Sequence, residues 1–260
     1  MSIITYKLLD QFTEIAHFCT TRQGGVSVGN YASFNLSPYT GDDLAHVAEN
    51  QQRLNELIGI QTLRMAVPYQ THGTELREIN ESYFQLSNEE KECYLKGVDG
   101  VFTQLTQVCV AVTTADCVPL LFFDPIKKVI GAVHAGWRGT CASITKKMIL
   151  TLVEYYGSNP LDIRVAIGPS ISSKVYEVGE EVITQFSDAG FDIKEIVAQR
   201  NNRFYLDLWK ANSSLLKSLG IKDEHIEISG ICTFTEYENY FSARRLGIKS
   251  GRLLSGIVLR

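Results

Sequence analysis

Two common spacings of paired metal ligands are missing from this chain. Its six cysteines and five histidines form neither a CxxC nor an HxxxH element, which removes the basic unit of a zinc-finger type of structural site. Positive charge is not in excess: 25 Lys and Arg against 29 Asp and Glu give a net charge of −4. Binding to a phosphate backbone wants a basic face, so nucleic acid is not expected as the main partner. A long apolar run is also missing, since the longest, Val108 to Phe123, is interrupted by Asp116 and cannot span a bilayer. The start, Met1-Ser2-Ile3-Ile4-Thr5-Tyr6-Lys7, leads into no apolar h-region, so no secretory leader is expected. There is no GxGxxG after the first strand-like run, no internal repeat and no low-complexity linker.

What is present is ordinary globular composition. The 260 residues, 45% hydrophobic and 21% charged, suffice for one sizeable core, and a single domain over residues 1–260 is expected. Cys19, Cys93, Cys109, Cys117, Cys141 and Cys232 are scattered in a chain too long to need staples, which points to reduced thiols and a cytoplasmic protein. Helical patterns are expected over Asp43 to Ile58 (closed by Gly59), Cys141 to Tyr156 (ending at Gly157), Glu180 to Phe186 and Leu206 to Leu219. Strand-like runs fall at Leu63 to Val67, Val98 to Thr103, Val108 to Thr114, Leu120 to Phe123, Val129 to His134, Ile163 to Ile167, Glu195 to Ala198, Ile226 to Ser229 and Leu254 to Leu259. Strands cluster in the middle and helices do not follow every strand. That order predicts an α+β fold, a layered domain with mixed β-sheets flanked by helices, rather than a doubly wound sheet.

Three segments carry the chemistry: Gln70-Thr71-His72-Gly73, Ala115-Asp116-Cys117-Val118-Pro119 and His134-Ala135-Gly136-Trp137-Arg138-Gly139. Any one of His72, Cys117 and His134 alone could equally be a buried core side chain. Each, however, ends or interrupts an apolar stretch beside Gly or Pro. Together they make a set of two imidazoles and a thiol for one zinc ion, with a fourth position left open as in catalytic sites. Copper can also bind such ligands in vitro. Asp116 could orient a ligand imidazole or act as acid or base. Arg138, four residues after His134 and at a predicted helix start, is the first choice for an oxyanion, with Arg22 and the Arg244-Arg245 pair behind it. Cys232 could approach the metal as a fourth ligand, and is read instead as a buried thiol.

These segments, with Thr21-Arg22-Gln23-Gly24-Gly25, Ser33-Phe34-Asn35-Leu36, Val98-Asp99-Gly100, Ile167-Gly168-Pro169, Asp207-Leu208-Trp209 and Phe241-Ser242-Ala243-Arg244-Arg245, run in the order found in the laccase-domain family. The chain resembles that family over nearly its whole length. The resemblance implies a fold similar to a Cys-His toxin deamidase. It also implies a zinc-dependent enzyme that phosphorolyses adenosine, inosine, guanosine and methylthioadenosine and deaminates adenosine. Its partners are then purine nucleosides and phosphate, in a monomer or small homo-oligomer, with Arg22, Asn35, Arg53, Arg138 and Arg244 as substrate contacts. Some members are described as peptidoglycan editing factors. A Cys-His amide hydrolase is the other chemistry that Cys117 admits. A conventional multicopper oxidase is not expected, because only His17, His46 and His225 remain once His72 and His134 are assigned. Three positions depart from the pattern. Asn50-Gln51-Gln52-Arg53 stands where Asn-Arg-Arg-Arg is common, leaving Arg53 alone for anion contact. Ser170 replaces a Cys, and Ala243 an aromatic residue or His.

Overall fold

The computed structural model describes residues 3–59 and 64–260. Two mixed sheets form its centre. The first runs in spatial order β1 (Ile3–Ile4), β2 (Ile15–Thr20), β14 (Leu253–Leu259), β6 (Val108–Thr114) and β3 (Arg64–Ala66). The second runs β13 (Ile226–Ile228), β9 (Arg164–Ile167), β7 (Val118–Asp124), β8 (Val129–Ala135), β5 (Gly100–Thr103) and β4 (Leu76–Glu78). A small third sheet pairs β10 (Glu177–Val178), β12 (Arg203–Leu206) and β11 (Val197–Arg200).

The alternation of side chains along a strand stacks these sheets. Val108, Val110 and Val112 of β6 share one apolar cluster with Leu121 and Phe123 of β7 and Ile130 and Ala132 of β8, so the two large sheets pack face to face. The opposite face of β6, through Cys109 and Ala111, packs on Leu54 of α1 (Leu44–Ile58). The opposite face of the second sheet, through Leu120, Phe122 and Val133, lies under α5 (Ile144–Tyr156) and α8 (Leu208–Ser218). Every residue of β6, β7, β8 and β14 is buried. Strands covered on both faces read as unbroken apolar runs, which is why these stand out in the sequence. The remaining helices are α2 (Glu81–Gln85), α3 (Asn88–Leu95), α4 (Trp137–Cys141), α6 (Glu180–Asp188), α7 (Ile193–Ile196) and α9 (Ala243–Leu246).

The architecture is the α+β arrangement of mixed sheets flanked by helices that the sequence predicts, with local differences. The helix expected over residues 141–156 starts earlier and is broken, because Ser143 takes a left-handed φ of 60° between α4 and α5. Residues 193–196 form the short α7, capped by the Asp192 side chain, so the strand expected from Glu195 begins at Val197. The strand expected from Leu63 is described from Arg64 onward, Leu63 itself lying outside the described residues. β1, β2, β4, β10, β12, α2, α3 and α9 carry no expectation. No helix among the described residues is long and apolar enough to cross a membrane.

Candidate active site

The antiparallel register of β7 and β8 pairs Val118 with Ala135 and Pro119 with His134. This puts Cys117, just before β7, beside the end of β8 that carries His134. His72 arrives from a loop. Gln70 holds that loop to the end of β6 by donating Nε2–H to the Thr113 carbonyl at 2.8 Å and accepting the Thr113 amide at 2.8 Å. His72 itself sits at φ 65°. The result is one cluster in which the ligand atoms of His72, Cys117 and His134 lie within 4.8 Å of one another. Among the described residues no other His, Cys, Asp or Glu set converges in this way.

The carboxylate that organises the cluster is Asp99, fully buried just before β5. Its Oδ1 accepts Nδ1–H of His134 at 2.8 Å and the His72 amide at 2.9 Å, while Oδ2 accepts the amides of Thr71 at 3.2 Å and Gly73 at 2.7 Å. Burial alone would raise its pKa, but the hydrogen bond and charge of His134, with the amides, hold it below the ordinary value. The Cys117 thiol is likewise opposed by burial and lowered by His134 and His72, whereas His134, which burial would lower, is raised by Cys117 and Asp99. Asp116 does not fill the orienting role considered for it. At φ 87°, it accepts the hydroxyls of Thr233 at 2.7 Å and Ser242 at 3.0 Å and the amide of Arg244 at 2.7 Å, and so pins the late chain segment beside Cys117.

The donor set fits a metal ion. One thiolate and two imidazoles suit zinc, and the backbone leaves room at Gly136, where a Cβ would come within 3.0 Å of both the Cys117 Sγ and the His72 ring. His134 is tied through Nδ1, which leaves Nε2 for the metal. The cluster opens into a cleft of about 430 Å³ lined also by Tyr39, Tyr69, Thr114, Tyr176, Arg244 and Arg252, a volume within the usual range for small-molecule sites. Tyr39 and Tyr69 meet edge to face at 4.9 Å.

The other sequence candidates are distributed differently. Arg244 lines the cleft, with its guanidinium 5.3 Å over the Tyr176 ring. Arg138 is exposed, stacks 4.3 Å over Trp137 and is not among the lining residues, although its charge reaches Tyr176. Arg22 is a clip, donating to the carbonyls of Ala32 and Tyr237 through all three guanidinium nitrogens. Arg53 pairs with Glu49 at 2.5 Å and bonds the Gly24 carbonyl. Asn35 is buried and accepts the Arg252 amide at 2.9 Å. None of these last three lines the cleft. Cys232 is buried and takes the Ser172 amide at 3.4 Å, outside the ligand cluster. Ser170 accepts Nε1–H of Trp209, and Ala243 lines the cleft. Sequence reasoning passed over Asp99, although Val98-Asp99-Gly100 is one of the resembling segments, and Arg252, which no motif marks.

A family model described as multi-copper polyphenol oxidoreductase laccase matches residues 16–260. A purine nucleoside phosphorylase of Bacteroides thetaiotaomicron is 41% identical over 259 residues, covering 99% of this chain and 96% of that protein. An adenosine deaminase, RL5, from an unknown prokaryotic organism is 37% identical, covering 92% of each. The crystal structure of hypothetical protein YfiH from Bacillus licheniformis superposes with a TM-score of 0.91 at 30% identity, covering 100% of this chain and 97% of that one.

Proposed function

The chain belongs to the multi-copper polyphenol oxidoreductase laccase family, and from that premise we propose that it is a zinc-dependent purine nucleoside enzyme. It phosphorolyses adenosine, inosine, guanosine and methylthioadenosine and deaminates adenosine to inosine. The observation that carries this reading is the convergence of His72, Cys117 and His134 on a cleft of small-molecule size. Similarity to relatives named purine nucleoside phosphorylase and adenosine deaminase supports the substrate class.

His72, Cys117 and His134 would hold the zinc, which would supply Lewis acidity and an activated water at neutral pH. The chain's own residues do the rest. Asp99 fixes the orientation and tautomer of His134 and the course of the His72 loop. Asp116 carries Arg244 to the cleft through its backbone amide. Tyr39 and Tyr69 offer aromatic faces for a purine. The Tyr176 phenol, raised by burial and by the charge of Cys117, keeps its proton and presents a donor within the same cleft.

One observation favours a second chemistry. Asp99, His134 and Cys117 stand in the order of an acid, a base and a thiol nucleophile, which without metal is the arrangement of a Cys-His amide hydrolase. His72 separates the two readings, since a metal site needs its imidazole and the thiol mechanism does not. Metal analysis of protein purified without added copper, with a purine nucleoside screen in the presence and absence of phosphate, tests the proposal. About one zinc per chain and phosphate-dependent release of free base are expected. Metal-free protein that turns over no nucleoside would move the assignment to the hydrolase.

A further inference from the structure

Arg252 is the cation that the family-like segments do not mark and the cleft cannot ignore. Strand β14 pairs with β6 so that Leu253 faces Thr114. Arg252, one residue earlier, therefore lies level with Ala115, two residues before Cys117. Arg252 lines the cleft and feels the charges of Cys117 and Asp116, yet no carboxylate among the described residues lies within ion-pairing distance of it. Its guanidinium bonds the carbonyls of Ser250 at 2.7 Å, Gly251 at 3.1 Å and Ile248 at 3.0 Å and the Ser250 hydroxyl at 3.3 Å, and among the described residues Nε has no partner. A half-buried guanidinium that no carboxylate pairs with is suited to take an anion from the cleft. On the paired strand, the Thr114 hydroxyl is buried and has no hydrogen-bond partner among the described residues, and Thr114 lines the same cleft. Arg244 supplies a second cation, whose guanidinium among the described residues hydrogen-bonds only the Glu177 carbonyl, at 3.3 and 3.4 Å.

We propose that Arg252, Arg244 and the Thr114 hydroxyl form a subsite for a phosphate dianion, occupied by inorganic phosphate as the nucleophile. The nucleophile role rests on the phosphorolysis reading above. An oxygen of the phosphate bonds to C1′ of the ribose as the C1′–N9 bond breaks. The electron pair of that bond leaves with the purine, which takes up a proton, and the products are ribose-1-phosphate and free base. Arginine suits the role because its fork matches phosphate oxygens.

The test is binding of inorganic phosphate to the zinc-loaded full chain, followed by equilibrium dialysis, together with the phosphate KM for inosine cleavage. Arg252→Met should weaken phosphate binding about 10- to 100-fold, and Arg252→Lys by less. Because Arg252 also ties down residues 248–251, Thr114→Val is the second variant. It keeps the side-chain volume and should weaken phosphate binding by roughly 2- to 10-fold. Phosphate affinity unchanged in both Arg252→Met and Thr114→Val overturns the subsite. Affinity lost in the variants while the wild type cleaves no nucleoside with phosphate supports the subsite and overturns the phosphorolysis reading. A nucleoside 5′-monophosphate bound more tightly than its nucleoside, with the difference lost in Arg252→Met, assigns the site to a substrate 5′-phosphate and overturns the nucleophile role.

Discussion

Nδ1 of His134 donates to Oδ1 of Asp99 at 2.8 Å, and the same oxygen accepts the His72 amide at 2.9 Å. One buried acid thus positions two of the three prospective ligands. Asp99→Asn should lower zinc affinity about 10- to 100-fold, the usual effect of losing the carboxylate behind a ligand histidine. Competition with a chromophoric chelator measures it. Wild-type affinity in that variant would assign Asp99 to folding alone.

Gly136 makes the complementary prediction from space rather than charge. A methyl group there would lie 3.0 Å from the Cys117 Sγ and 3.0 Å from Cδ2 of His72, closer than side chains normally tolerate without moving. Gly136→Ala should bind less than the wild-type complement of zinc while keeping its far-ultraviolet circular dichroism. Full zinc content would mean that the ligands can shift outward.

The convergence of His72, Cys117 and His134 was legible because each stands in a short segment with Gly or Pro beside it. The carboxylate behind them was not. Asp99 is 27 residues from His72 and 35 from His134, a separation with no periodic signature, and the nearer Asp116 drew the assignment instead. Arg252 was hidden for a related reason, since only the pairing of β14 with β6 brings it level with Ala115. β6, β7 and β8 could be read as continuous apolar runs, but β2, equally central, could not. Its sequence Ile15-Ala16-His17-Phe18-Cys19-Thr20 is covered on both faces and includes a histidine and a threonine, so it shows neither alternation nor an unbroken apolar run.

Zinc-free protein should reveal the electrostatics of the cluster. Burial acts to raise the Cys117 thiol pKa and His134 and His72 outweigh it, so the folded value lies below the ordinary thiol value. The thiolate therefore survives as pH falls below the range where a free cysteine, with a pKa of about 8.5, protonates. The pH midpoint of Cys117 alkylation should lie below that value and rise in His134→Ala. A midpoint that does not move on removing His134 would exclude the thiolate–imidazolium pair.

Asn50 is the one member of the Asn50-Gln51-Gln52-Arg53 run with a buried structural duty. Its side chain accepts the Val26 amide at 2.9 Å and donates to the Ser27 hydroxyl at 3.0 Å and to the carbonyls of Ser33 at 3.2 Å and Asn35 at 2.9 Å. Asn50→Ala strands these partners in the interior. It should cost about 2–3 kcal/mol in urea unfolding, within the range for buried groups left unpaired. Arg53→Ala, at an exposed ion pair with Glu49, should cost less than ~1 kcal/mol.

Arg138 and Arg252 differ in how water screens them, and that difference separates their roles. Arg138 is exposed, stacked on Trp137 and outside the cleft lining, so it can act on a bound anion only at a distance. At physiological salt the screening length is ≈ 8 Å, and exposed charges lose most of their influence beyond it. Arg138→Ala should then raise the phosphate KM by no more than about 5-fold at low ionic strength, with the effect fading as salt is added. The Arg252→Met effect should persist if the proposed subsite holds, because Arg252 lines the cleft and would meet an anion there directly. Phosphate kinetics of both variants across a salt series decide the matter. A large, salt-independent loss in Arg138→Ala would return the oxyanion to the helix start that the sequence first suggests.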